Sequence, residues 1–221
     1  MTLKSIKIDN VLPYPLRSRD TSLSQVWNRA VTVSRGEYCS VEAASGSGKS
    51  SLCSFIYGIR DDYDGCICFV DERDEDTDIR RLDAESLCRM RRENLAFLPQ
   101  QLRLFASLTA MENVKVKNDL THALSDKEIA GMFAAFGLED KTSTPCSLLS
   151  VGEQQRVAII RTLCQPFDFL LLDEPVSHLD TDNNHIAAEM ILGRARSLGA
   201  GIISTSVGNP LLIPYSLTLS L

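Results

Sequence analysis

Residues 148–180 read LLSVGEQQRVAIIRTLCQPFDFLLLDEPVSHLD and constrain the fold more than any other stretch of the chain. A Ser-Val-Gly-Glu turn opens a helical pattern predicted over residues 152–164, and the run FLLL follows at 169–172. A short, wholly apolar run reads as a strand covered on both faces, which is the habit of parallel sheets. Asp173 and Glu174 emerge at its C-terminal edge, where α/β sheets bind ligands. There Asp173 can hold a metal ion, largely through water, and Glu174 can orient and polarise an attacking water.

About a hundred residues upstream, residues 44–51 read ASGSGKSS, between a strand predicted at 38–43 and a helix predicted at 49–59. Strand, glycine loop and helix in that order form a phosphate-binding context. Gly46 and Gly48 let successive N–H groups of the loop turn inward to cradle phosphates, and the helix adds its positive N-terminal end, so Ala44, Ser45, Ser47 and Ser51 are nucleotide-binding candidates with them. Lys49 brings a mobile positive charge to the same phosphates, and the Ser50 hydroxyl is placed to ligate Mg²⁺. The usual consensus has glycine six residues before the lysine; here Ala43 stands there. Alanine costs on the order of 1 kcal/mol at that point if the backbone needs positive φ, and almost nothing otherwise.

Strand-length apolar runs alternate with helical patterns elsewhere too. Residues 95–98 and 201–205 read as strands and 182–197 as a helix. Residues 125–136 read as a helix opened by Ser125, with Glu128 completing a capping box and Gly137 ending it. The alternation predicts an α/β fold with a mainly parallel central sheet. Residues 3–33 and 65–70 read as antiparallel strands flanking it, residues 106–148 as an almost wholly helical subdomain of the same folding unit, and residues 71–78 (DERDEDTD) as a surface loop. The 221 residues are thus expected to form a single domain.

The net charge of −6 argues against nucleic acid as the main partner. Arg80, Arg81, Arg89, Arg91 and Arg92 form one local basic cluster, read as a solvated helix face. No apolar run approaches the roughly 20 residues that cross a bilayer, and the N-terminus lacks the apolar core of a signal peptide. A cytoplasmic location is expected. The seven cysteines follow no metal-site spacing and read as reduced, mostly buried thiols; Cys66 and Cys68 would share one face of a strand.

Taken in order, these motifs resemble the ATP-binding-cassette (ABC) ATPases over about residues 25–206, a family of P-loop NTPase fold. ASGSGKSS resembles its phosphate loop, LPQQLRLFASLTAMENV at 98–114 its Q-loop, LSVGEQQRVAIIRTL at 149–163 its signature motif, FLLLDEP its Walker B strand and SHLD at 177–180 its D-loop. LTAMENV and GEQQRVAIIRTL look most like the branch serving lipoprotein release, macrolide export and cell division. The resemblance implies ATP and Mg²⁺ as ligands, and a head-to-tail dimer, taken as a homodimer. Each ATP would lie between one subunit's phosphate loop and the other's signature turn. Ser150, Gly152, Glu153 and Asp180 would then face nucleotide across the interface. Gln100 would sense γ-phosphate and Mg²⁺, and Tyr14 would stack on adenine or else pack in the turn between Pro13 and Pro15. A separate membrane permease is implied as partner, with the chain peripheral on the inner face of the plasma membrane.

Two further positions depart from the family pattern. Val151 replaces a signature glycine, adding a β-branched side chain at the dimer seam. The family's histidine after the strand following Walker B falls on Ser206, and His122, His178 and His185 all lie elsewhere. Serine donates a hydrogen bond but carries no positive charge. The sequence therefore predicts intact ATP binding with slow or partner-dependent hydrolysis. A cassette that binds ATP in a regulatory or structural role, and a soluble ABC ATPase outside transport, are the alternatives.

Overall fold

The structure, a computed structural model, describes residues 2–44 and 46–221; Ser45 of the phosphate loop lies outside the described residues. Nine strands are described: β1 (Leu3–Pro13), β2 (Ala30–Ser34), β3 (Tyr38–Glu42), β4 (Tyr63–Asp71), β5 (Asp76–Asp78), β6 (Leu95–Leu98), β7 (Phe169–Asp173), β8 (Gly201–Ser206) and β9 (Leu217–Ser220). Six α-helices accompany them: α1 (Lys49–Ile56), α2 (Ala84–Glu93), α3 (Ala110–Asn118), α4 (Asp126–Ala135), α5 (Val151–Leu163) and α6 (Thr181–Leu198).

The strands form two sheets. One is parallel, in the order β6-β7-β8-β3-β9, and the other antiparallel, in the order β2-β1-β4-β5. The parallel sheet has helices on both faces, and its interior strand β7, flanked by β6 and β8, shows why its sequence must be apolar throughout. Leu170 and Leu172 point into a core shared with α3, α4, α5 and α6, while Phe169 and Leu171 point into a second core with α1 and the antiparallel sheet. That second core is built around the buried rings of Trp27, Phe55, Tyr63 and Phe69. Alternation along a strand thus places successive residues in different cores, and no position on β7 is left for a polar side chain before Asp173.

Two expectations are revised. The acidic stretch at 71–78 is a tight hairpin rather than a loop, because β5 pairs with β4 through Cys68–Asp78, Phe69–Thr77 and Val70–Asp76. Asp76 also binds Lys7 Nζ at 2.8 Å, so the acids face basic side chains of β1 across the sheet. Residues 106–148 are only partly helical: α3 and α4 are joined by irregular chain and followed by two 3₁₀ turns at Glu139–Lys141 and Cys146–Leu148. Their helices begin at capping boxes, Thr109 with Glu112 and Ser125 with Glu128, and Gly137 follows α4 at φ +61°.

In the arginine cluster Arg80, Arg81, Arg89 and Arg92 are exposed, as a solvated face requires, and Arg91 is half-buried. Arg91 Nε and Nη2 donate to the carbonyls of Tyr57 and Gly58 at 3.0 and 2.7 Å, fastening α2 to the end of α1. All seven cysteines are free thiols; Cys39, Cys53, Cys146 and Cys164 are buried, and the sulfurs of Cys66 and Cys68 lie 3.9 Å apart on β4. Among the described residues no helix is long and apolar enough to cross a membrane.

Candidate nucleotide site

The phosphate loop leaves β3 at Glu42 and enters α1 at Lys49. Gly46 and Gly48 take φ of +80° and +101°, the left-handed backbone that turns N–H groups toward one side. Gly48 has a second reason to lack a side chain, since a Cβ there would stand 2.9 Å from the Trp27 ring. Trp27, buried beneath the loop, donates its indole N–H to the Ser47 carbonyl at 3.0 Å, and Arg19 reaches the Gly46 carbonyl at 3.4 Å. The Ser47 hydroxyl closes the loop on the Ala44 carbonyl at 2.8 Å. Ala43 is not among the residues of positive φ, so alanine carries no left-handed strain at this point.

Lys49 is buried, and its ammonium donates to the carbonyls of Ala43 and Ala44 at 3.1 and 3.0 Å. The same Nζ lies 3.9 Å from Glu174 Oε1. Parallel pairing brings these residues together: β3, β8 and β7 lie side by side and all end at the same edge of the sheet. Asp173 is buried at that edge and accepts the Thr205 hydroxyl at 2.7 Å. Glu174 follows with φ +52°, a strained backbone for a residue with a Cβ, held by its N–H to the Thr205 carbonyl at 3.2 Å. Its Oε2 accepts from Gln100 Nε2 at 3.1 Å.

Ser50, Gln100 and Asp173 line a cavity of about 160 Å³ together with Ser54, Phe97, Pro99, Gln101 and Arg103. The available donors are hydroxyl, amide and carboxylate oxygens, with one Asp173 oxygen already bonded to Thr205. Such a set suits a hard divalent cation that keeps part of its water shell. Thr205 and Trp27 were not assigned roles by the sequence. A threonine that ends the 201–205 run GIIST, in register with Asp173, is the signal that marks Thr205.

The signature turn lies at the start of α5. Ser150 is its N-cap and forms a capping box with Glu153, whose carboxylate accepts the Ser150 N–H at 2.7 Å. These hydrogen bonds, the backbone one first, hold the Glu153 carboxyl below the ordinary glutamate range. Val151 is the first helical residue, not a residue of positive φ, and it stands half exposed beside Ser150. Gly152 packs close to the His178 carbonyl, 3.1 Å from where its Cβ would be. Asp180 caps α6 by accepting the Asn183 N–H at 2.8 Å.

Ser206 closes β8, buried, and pairs in register with Glu42 at the root of the phosphate loop. Tyr14 lies in a 3₁₀ turn with its ring under the Arg17 guanidinium, 3.8 Å from the centroid. Leu16, Arg19, Trp27 and Ser47 line a cavity of about 310 Å³ beside the phosphate loop, and Tyr14 is not among its lining residues. Of the three histidines, His178 sits in the turn after Glu174 and His185 on α6, while His122 lies between α3 and α4.

Residues 27–177 match the ABC transporter family. The chain is 34% identical over 191 residues to the macrolide export ATP-binding/permease protein MacB of Vibrio parahaemolyticus, covering 84% of this chain but 28% of that protein. It is 32% identical to the lipoprotein-releasing system ATP-binding protein LolD 1 of Caulobacter vibrioides, covering 77% of this chain and 72% of the relative. The dimeric structure of a post-hydrolysis state of the ATP-binding cassette MJ0796, bound to ADP and Pi, superposes with TM-score 0.74 at 25% identity, covering 92% of this chain and 88% of that one. The chain belongs to the ABC transporter family, and its two sheets and helices form the family's ATP-binding-cassette fold.

Proposed function

We propose that this chain is an ATP-binding subunit that hydrolyses ATP slowly and drives a separate membrane permease through closure of a head-to-tail dimer. The observation that carries the reading is the convergence of Lys49, Glu174 and Gln100 at the edge where β3 and β7 end. In this reading the loop from Ala43 to Ser51 wraps the phosphates and Lys49 exchanges its carbonyl partners for phosphate oxygens. Glu174 accepts a hydrogen bond from the attacking water, and Gln100 holds that carboxylate in place. Ser50, Asp173 and Gln100 would hold Mg²⁺, which supplies charge neutralisation at the phosphates when bound. Ser150, Gly152, Glu153 and Asp180 serve the nucleotide of a second copy.

The slow step follows from Ser206. Its hydroxyl offers a hydrogen bond without the charge of an imidazolium, and loss of one such donor costs roughly 10²–10³ in rate. The same residue favours a second reading, an ATP-binding subunit that regulates a permease with little hydrolysis. MacB and LolD are named as ATP-binding proteins of macrolide export and lipoprotein release, and a comparable bacterial export or extraction system is the proposed setting.

Light scattering on the Glu174→Gln variant tests the dimer. With saturating MgATP its mass is expected to double from that of the 24.4 kDa chain, and Lys49→Ala added to it should prevent the change. A Glu174→Gln protein that stays monomeric with MgATP bound would overturn the proposal.

A further inference from the structure

Gln155 is a buried amide, bonded through both its nitrogen and its oxygen, between the signature helix and the segment that carries Glu174. It lies on α5, one turn beyond Ser150, and is 1% exposed. Its Nε2 donates to the carbonyls of Pro175 and Glu174 at 2.6 and 3.2 Å, and its Oε1 accepts the His178 N–H at 2.9 Å. Both N–H donors and one lone pair of the oxygen are therefore engaged on one five-residue turn. The Glu174 carbonyl also accepts the Ser177 N–H at 3.3 Å, which closes the turn on itself. Next to it, Gly152 brings the first turn of α5 close to the His178 carbonyl. Two separate contacts thus seat the start of α5 on the backbone from 174 to 178.

Glu174 is the residue in this segment whose backbone needs such support. Its φ of +52° is unfavourable for a side chain with a Cβ, and it persists only where neighbours over-determine it. Its own N–H is held from the β8 side by Thr205, and its carbonyl from the α5 side by Gln155.

We infer that Gln155 is the positioning residue that sets the Glu174 carboxylate and ties it to the signature helix of the same chain. The inference rests on the ATPase reading above. A displacement of α5, when Ser150 meets the nucleotide of a second copy, is passed through Gln155 to the Glu174 backbone. Occupancy at one site then alters the aim of the water-polarising carboxylate at the other. Gln155 touches no nucleotide in this scheme and acts through Glu174 alone.

The experiment compares wild type, Gln155→Met and Gln155→Glu, with Glu174→Gln as the reference for lost chemistry. Methionine keeps the volume of the side chain and removes its hydrogen bonds; glutamate keeps the acceptor and removes the donors. Binding of a fluorescent ATP analogue with Mg²⁺ reports the phosphate loop, and single-turnover hydrolysis of ATP reports Glu174. The expected result is binding within about twofold of wild type and hydrolysis at least about tenfold slower for both variants, a split that loss of fold would not give. Hydrolysis at the wild-type rate in either variant overturns the inference. Loss of nucleotide binding in both variants overturns it too, by making Gln155 a residue of the fold. If wild type itself is no faster than Glu174→Gln, the ATPase reading has failed and the inference falls with it.

Discussion

Gln100 Nε2 donates to Glu174 Oε2 across 3.1 Å, joining two residues 74 positions apart at the ends of adjacent parallel strands. The amide fixes one oxygen of the carboxylate and leaves the other near Lys49. Replacing Gln100 with alanine frees the carboxylate to rotate. Single-turnover hydrolysis should fall by about 10²-fold, the lower end of what a positioned acid–base group contributes. Affinity for ATP measured without Mg²⁺ should change by only about threefold, since the phosphate loop is untouched. Equal losses in affinity and rate would assign Gln100 to binding instead.

Thr205 is wholly buried, donates to Asp173 Oδ1 at 2.7 Å and lies 3.3 Å from the Glu174 N–H. Valine has the same shape without the hydroxyl, so Thr205→Val leaves a buried carboxylate oxygen short of a donor. Urea unfolding should show a loss of about 1–3 kcal/mol.

Gly65 and Gly131 should respond to alanine in opposite directions. Gly65 takes φ +81°, and a Cβ there would stand 2.3 Å from the Asn10 carbonyl oxygen, at the irregular pairing of β1 with β4. Left-handed backbone alone costs an alanine about 1–2 kcal/mol, and the backbone clash adds to it. Gly131 sits inside α4 with open space where the Cβ would go. Gly131→Ala should stabilise by roughly 0.5–1 kcal/mol. Denaturant midpoints with unchanged slopes would measure both.

Three helices begin with carboxylates that titrate below the ordinary glutamate range. Glu112 is lowered first by the Thr109 N–H, Glu128 first by the Ser125 hydroxyl and Glu153 first by the Ser150 N–H. A carboxylate lowered in the folded state contributes its stability in full above the unfolded value, about 4.3 for glutamate. That contribution is lost as pH falls through the lower folded value. The urea midpoint of wild type should therefore drop more steeply between pH 6 and pH 3 than that of a variant with all three glutamates changed to glutamine. Parallel curves would show that the caps do not couple to protonation.

Local pattern made the site's chemistry legible. Glycines ahead of Lys49, an apolar strand ending in Asp173 and Glu174, and Ser125 three residues before Glu128 are each short-range signals with a geometric meaning, and each element formed within a few residues of its expected bounds. What the sequence left open depends on pairing between distant segments. β5 was hidden because acidic residues read as loop until Lys7 and Cys68 stand opposite them. Arg91 looked solvated because its acceptors are backbone carbonyls 33 and 34 residues away. Gln155 falls at the helical position that repeats through Ala158, Ile159 and Thr162, all buried, so a glutamine on an apolar face was the available clue. Ser206 was legible as a substitution, while its burial beside Glu42 needed the register of β3 with β8.

In the proposed function ATP binding is intact and hydrolysis is slowed at Ser206. Single-turnover hydrolysis of MgATP by wild type, Glu174→Gln and Ser206→His tests it most directly. Ser206→His is expected to accelerate hydrolysis by about 10²-fold and Glu174→Gln to abolish it. A Ser206→His variant no faster than wild type, or a Glu174→Gln variant as fast, would contradict it.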